Sequence, residues 1–362
     1  MKNKFFAVLC CCLLGTVLVL AGCSSNSGSS DTSKSSSSTS TKEVASVEQK
    51  TVYVTADWLK SALDGNQKGY ENVVVAEVSY DPSKSETYAK GHVPGAIKVG
   101  DVEVEDATGD EKGAYNLLSA SEIEKYALSH GITKDTKVVL YGSDISGVAR
   151  VAYAYLYLGV EDVKILNGGL DAWTKAGYST ETTENTGKSA SSFGTTVPAH
   201  PEYWTSITDA KSKLQSDSNF KLVSIRSEAE WLGETSGYTY MDKAGEPEGA
   251  VWGKGPQSAS DVADFTNSDG TVKDLDGLKA VWKDCDFTLD NHLAFYCGTG
   301  WRACVPFLVL YENGYTDISV YDGGWYEWLM HDDYPVQVGD PKSSSCEHTT
   351  VGALPTGKAS AE

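Results

Sequence analysis

The chain repeats itself once. Asn167-Gly168-Gly169-Leu170-Asp171-Ala172-Trp173 returns as Asp322-Gly323-Gly324-Trp325-Tyr326-Glu327-Trp328, at an offset of 155 residues. The same offset carries Tyr141 to Tyr296 and Gly159 to Gly314. Several landmarks at one spacing point to two homologous units, so the fold must be one that a single half can complete and then repeat. In each half, short apolar runs alternate with helical patterns. Strands are expected over 72–78, 137–141 and 163–166, with helices over 121–130, capped by Ser119 or Ser121, and over 148–158. The second half reads as strands over 221–225, 292–296 and 318–321, with helices over 204–214, 275–282 and 303–311. Such alternation predicts an α/β fold in which each half is a parallel sheet with helices on both faces. Ligands of such sheets bind beyond the carboxyl ends of the strands.

The duplicated region is flanked by segments of other kinds. Lys2 and Lys4 precede an apolar run that closes on Leu20-Ala21-Gly22-Cys23. This resembles a bacterial lipoprotein signal, which implies cleavage before Cys23 and a lipid on its sulfur. The competing reading, an uncleaved membrane helix, needs about 20 apolar residues, and this run is shorter and ends in small residues. The expected organisation is a signal over 1–22, a Ser-rich tether over 23–50 and a first domain over 51–180. A linker over 181–198, a second domain over 199–340 and a tail over 341–362 complete it. The tether has almost no large apolar residues and cannot build a core. The expected location is the cell membrane, lipid-anchored on its extracytoplasmic face. Hydrophobic residues make up 40% of the chain, enough for sizeable cores, and the formal net charge is −20. That balance argues against nucleic acid, whose phosphates require basic patches.

Chemistry concentrates in one place. Cys297-Gly298-Thr299-Gly300-Trp301-Arg302 follows an apolar run and precedes a helical one. A strand-to-helix junction gathers backbone N–H groups and the positive end of a helix dipole. That setting favours the thiolate, the reactive form of cysteine. The offset supplies an internal control, because it sets Gly142 opposite Cys297, Ile145 opposite Gly300 and Gly147 opposite Arg302. The first copy lacks the thiol, the second glycine and the arginine together. The first domain is therefore expected to be structural and to cover one side of the cleft. No Cys-x-x-Cys pair or histidine cluster has metal-ligand spacing, and no metal or cofactor is expected.

These residues resemble the rhodanese family in its tandem two-domain form. Gly91-His92-Val93-Pro94-Gly95-Ala96 is similar to the family's Gly-His-Ile-Pro-Gly-Ala signature, and Pro247-Glu248-Gly249-Ala250 is a weaker version. Leu222-Val223-Ser224-Ile225-Arg226 resembles its Leu-Val-Asp-x-Arg strand end, with Ser224 in place of aspartate, and both Gly-Gly-x-x-x-Trp runs match its closing signature. The resemblance implies a sulfurtransferase in which Cys297 takes a sulfane sulfur from a small anionic donor. The resulting persulfide passes it to a thiophilic acceptor, namely cyanide, a thiol or a reduced protein. It implies that Gly298, Thr299, Gly300, Trp301 and Arg302 form the loop that binds the donor, and that Arg226 is an anion-binding arginine. Related phosphatases and arsenate reductases use a loop one residue longer, so the tighter loop here favours sulfur over phosphate. Gly298-Thr299 is closer to mercaptopyruvate-using members, whereas Trp301-Arg302 is like single-domain rhodaneses. Thiosulfate is the expected donor, with 3-mercaptopyruvate as the alternative.

Several assignments stay open on sequence. Arg226 either binds an anion or pairs with Glu228 or Glu230. Cys304 is a packed helix residue or a resolving thiol. Trp301 lines the mouth of the site or offers a docking surface. The alternatives to an enzyme are a persulfide carrier or redox sensor without turnover, and a non-catalytic binding module at the cell surface.

Overall fold

The computed structural model describes residues 52–107, 114–259 and 261–360. The expected signal, Cys23 and the tether lie outside these residues. In the first half, β1 (Tyr53–Val54), β2 (Val74–Ser79), β3 (Ile97–Gly100), β4 (Lys137–Gly142) and β5 (Asp162–Leu166) form a sheet in the order β1-β5-β4-β2-β3. Every neighbouring pair in it is parallel. The second half supplies β6 (Trp204–Thr205), β7 (Phe220–Ser224), β8 (Glu246–Pro247), β9 (Val251–Trp252), β10 (His292–Tyr296) and β11 (Ile318–Tyr321). Five of these repeat the arrangement as β6-β11-β10-β7-β9, again all parallel. β8 instead joins β12 (Pro335–Val338) and β13 (Glu347–Thr350) in a small antiparallel sheet.

Helices α1 (Ala56–Leu63), α2 (Glu86–Lys90), α3 (Ala120–Ser129), α4 (Ile145–Leu158) and α5 (Gly169–Lys175) belong to the first half. The second half contributes α6 (Ile207–Ser216), α7 (Glu228–Trp231), α8 (Leu275–Trp282), α9 (Cys304–Glu312) and α10 (Gly324–Trp328). Side chains alternate across each sheet, as the pleat requires. Val138 and Leu140 enter one core while Val139 and Tyr141 enter another. In the second sheet Leu293 and Phe295 face one core, and Ala294 and Tyr296 face a third. The first of these cores runs through both halves, because α4 and α9 pack against each other across the junction. Tyr153 meets Phe307 there edge to face, with ring centroids 5.1 Å apart. This explains why α4 is apolar on nearly all sides: it is covered by its own sheet and by the other half.

The junction has a repeated logic. Asn167 Oδ1 accepts from the Val272 N–H at 2.7 Å, and Asp322 Oδ2 accepts from the Leu117 N–H at 2.5 Å. The offset of 155 relates Asn167 to Asp322 and Leu117 to Val272. Each half thus reaches across to the other with the residue that precedes its Gly-Gly pair.

Some expected boundaries change. The helix expected from 204 begins at Ile207, because Trp204 and Thr205 pair with Val320 and Tyr321 and Ser206 caps the helix by accepting from the Asp209 N–H. The cap of α3 is Ser119, in a reciprocal box with Glu122. The tail supplies β13 and runs on to residue 360 alongside the segment 235–242. Ser236 N–H donates to the Lys358 carbonyl at 2.8 Å, Lys358 N–H to that of Asp242 at 3.0 Å, and Ser360 N–H to that of Tyr238 at 3.0 Å.

Candidate active site

Cys297 comes directly after β10, so the parallel sheet delivers the thiol to its carboxyl end, where ligands of such sheets bind. The residue is 1% exposed. The next turn is shaped by what glycine leaves out. A Cβ on Gly298 would overlap the ring of Tyr238. Gly300 has φ +84°, and a Cβ there would come within 2.8 Å of Asp322 Oδ1 and 2.9 Å of Arg150 Nη1. Both glycines are therefore required by close approach, and Gly300 also by its backbone conformation.

The loop is anchored from behind by α10. Trp325 N–H donates to the Cys297 carbonyl at 2.9 Å and Tyr326 N–H to that of Gly298 at 3.0 Å. In a trans peptide the N–H points opposite to the C=O, so the N–H groups of Gly298 and Thr299 point away from α10. Among the described residues, the N–H groups of Gly298, Thr299, Gly300, Trp301 and Arg302 donate to no protein acceptor. Successive free N–H groups in a tight turn ahead of a helix form a cradle for an anion. Thr299 is buried within this turn. The Cys304 thiol donates to the Gly300 carbonyl at 3.3 Å, and burial pushes that thiol up. Cys304 is free and packed at the start of α9, and Cys285, Cys297 and Cys346 are free as well.

The two arginines assigned to donor binding are both committed to the protein. Arg302, 2% exposed, sets its Nη1 and Nη2 on the two carboxylate oxygens of Glu230 at 3.0 and 2.9 Å, and Nη2 also reaches the Tyr238 hydroxyl at 3.0 Å. Arg226 is fully buried. Its Nε donates to Glu230 at 3.2 Å, its Nη1 to Glu246 at 2.9 Å and to the Gly245 carbonyl at 2.7 Å, and its Nη2 to the Ser236 carbonyl at 3.0 Å. The expectation that Arg226 binds an anion is thus corrected in favour of its pairing with Glu230. Both terminal nitrogens of Arg302 are likewise taken by protein groups, Glu230 and Tyr238. Against the cost of burial, Arg302 and then Arg226 draw the Glu230 carboxyl down to about 2. Glu230 also closes the capping box of α7 with Ser227.

Sequence reasoning offered Glu230 only as a possible partner of Arg226, gave the first half only the covering of one side of the cleft, and missed Tyr238. Ser227-Glu228-Ala229-Glu230 directly after Arg226 is a visible capping-box pattern, and it marks Glu230. Nothing in the sequence marks Tyr238. Its hydroxyl accepts from Arg302, which leaves its own proton to be donated. From the first half, the Trp301 indole N–H donates to Glu105 Oε2 at 2.6 Å. Tyr115 packs on Tyr326 and Tyr240, with centroids 5.3 and 5.6 Å apart. Trp301 is therefore a tie between the halves. The first domain's own junction, at Gly142 and Ser143, opens on a cavity of about 630 Å³ partly lined by Asp261 and Thr266 of the second half. Among the described residues, that junction has no thiol.

The rhodanese-like domain family matches residues 55–176 and 206–331. The chain belongs to this family. The twofold match agrees with the duplication, and the strand order of the two rhodanese sheets is the same. Over 260 residues the chain is 39% identical to thiosulfate sulfurtransferase YnjE of Escherichia coli (strain K12), covering 71% of this chain and 58% of that protein. The chain therefore spans less than two thirds of that relative. It is 30% identical over 308 residues to the sulfur carrier protein TtuD of Thermus thermophilus, covering 80% of this chain and 97% of that one. Among solved structures, an anaerobic ergothioneine biosynthesis enzyme from Chlorobium limicola, in complex with trimethyl histidine, aligns with a TM-score of 0.74. It is 32% identical, and the alignment covers 80% of this chain and 70% of that one.

Proposed function

We propose that this rhodanese is a sulfurtransferase that works through a persulfide on Cys297. The observation that carries the reading is the run of five unpartnered N–H groups, from Gly298 to Arg302, folded next to a thiol. With both arginines neutralised by Glu230 and Glu246, the backbone itself is what stabilises negative charge on sulfur. In the first half-reaction the Cys297 thiolate attacks the outer sulfur of thiosulfate. The S–S bond of the donor breaks, and sulfite leaves with the electron pair. In the second, cyanide or a thiolate attacks the outer sulfur of the persulfide. The Cys297–S bond breaks, and the thiolate returns. The two steps predict ping-pong kinetics.

Thiosulfate is the proposed donor and 3-mercaptopyruvate the competitor. The acceptor panel includes cyanide, small thiols and trimethyl histidine, since the tyrosines at the mouth suit a flat or cationic acceptor. Wild-type protein is expected to form thiocyanate from thiosulfate and cyanide and to gain one sulfur on Cys297 by mass spectrometry. Cys297→Ser is expected to lose both. Equal thiocyanate rates in the two proteins would exclude the reading. A second reading, a carrier without steady turnover, draws on the similarity to a sulfur carrier protein and on the burial of Cys297. Stable persulfide with turnover only in the presence of a protein acceptor would favour it. We further propose that a lipid on Cys23 holds the protein at the extracytoplasmic face of the membrane, a reading that rests on the N-terminal sequence.

A further inference from the structure

Arg150 is the one charged residue in α4, and it belongs to the half that has no thiol. It is fully buried. Its Nη1 pairs with Asp322 Oδ1, its Nη2 donates to the Tyr115 carbonyl at 3.1 Å, and Glu105 Oε2 lies 3.5 Å away. Its Nε has no hydrogen-bond partner. Asp322 immediately precedes the Gly-Gly start of α10, whose N–H groups hold the carbonyls of Cys297 and Gly298. Arg150 and Asp322 together also fill the space where a side chain at Gly300 would sit. A continuous chain of contacts therefore runs from Arg150 through Asp322 and α10 to the peptide planes of the loop.

The molecule carries its own control. At the equivalent place in the other direction, Asn167 does the work of Asp322 with a neutral amide, bonding the Val272 N–H at 2.7 Å and its carbonyl at 3.5 Å. The residue at the offset position of Arg150 is Val305. The junction of two halves is thus satisfied without a buried ion pair where no thiol is present. The charged version occurs only behind the Cys297 loop. Burying such a pair is costly unless its geometry is well made, so its presence on that side alone points to a task other than docking.

We infer that Arg150, acting through Asp322, is a positioning residue that sets the Cys297 loop so that its N–H groups converge on the reacting sulfur. The inference rests on the sulfurtransferase reading and makes the thiol-less half a required part of the site. Replacing the pair by its counterparts, Arg150→Val with Asp322→Asn, leaves no lone buried charge from the pair and reproduces the arrangement already present at Asn167. The full chain with this double change is expected to fold with a melting midpoint close to wild type. Its kcat for thiocyanate formation should fall by about 30-fold, below the 10²–10³ of losing a transition-state donor outright, while KM for thiosulfate changes less than about threefold. Alkylation of Cys297 by iodoacetamide, which needs no sulfur donor, should slow in the same protein. Arg150→Lys should recover part of both rates. A folded double variant with wild-type kcat and alkylation rate overturns the inference. If the double variant does not fold, Asp322→Asn alone, in which Arg150 keeps Glu105 and the Tyr115 carbonyl, decides between the same two outcomes. A wild-type protein that forms no persulfide with any donor would count against the parent reading. The alkylation rates would still judge Arg150.

Discussion

At the scale of single residues, the site is a set of buried charges whose partners decide their roles. Glu105 is a case in point. Burial pushes its carboxyl up to about 7, Arg150 and the Trp301 N–H pull it down, and Asp322 and Asp101 push it up. Its folded value thus lies above its unfolded value of 4.5. Its stabilising contribution is then fully present below pH 4.5 and is lost as pH rises through about 7. The loss is on the order of 3 kcal/mol at higher pH. Glu105→Gln, which keeps an acceptor for Trp301, is expected to raise the melting midpoint at pH 8 and to leave it nearly unchanged at pH 4. Calorimetry at the two pH values checks this, and an equal shift at both would contradict it. The placement of Cys297 at a strand end was legible, because an apolar run leads into it and a glycine turn follows. The pairing of Arg226 and Arg302 with Glu230 is only half visible, because a sequence displays a donor but does not single out the carboxylate that claims it. Arg150 did leave a signal, as the lone charge in the apolar run Val148-Ala149-Arg150-Val151-Ala152, which a core does not tolerate without a partner.

At the scale of elements, the segment 235–242 covers the loop on one side and is itself held by the chain beyond β13. Besides the three backbone bonds to Lys358 and Ser360, the Gly357 N–H donates to Asp242 Oδ1 at 2.8 Å. Tyr238, which abuts Gly298, rides on this segment. Ending the chain after Pro355 is expected to loosen Tyr238 and to speed alkylation of Cys297 by iodoacetamide at least several-fold, with the melting midpoint lowered only modestly. An unchanged alkylation rate would show that the segment holds its place unaided. The parallel strands β2, β4, β5, β7, β10 and β11 were legible because burial on both faces makes each a largely apolar run. β13 was not legible. Its residues Glu347, His348, Thr349 and Thr350 are exposed or half-exposed, and it exists only through pairing with β12. β6 was lost for a similar reason: two residues cannot display a period, and Trp204 is 40% exposed.

At the scale of the whole molecule, two halves of one ancestry have divided the labour. The half without the thiol keeps its sheet and gives Glu105, Tyr115 and Arg150 to its sister. Among the described residues, no helix is long and apolar enough to cross a membrane. The attachment proposed above is by a lipid on Cys23, outside those residues. Cys23→Ser is expected to move the protein from the membrane fraction to the soluble one while thiocyanate formation per molecule stays the same. Continued membrane association would refute the anchor, and a loss of activity on release would show that the membrane contributes to the site.

The strap over 357–360 also has a consequence in time. Cys297 leaves the ribosome before the residues that shut Tyr238 over it, and long after Arg150, which waits for Asp322 to arrive. During synthesis there is an interval in which the thiol exists and its enclosure does not. Over that interval nothing holds Tyr238 beside Gly298, and the thiol is more open than in the finished fold.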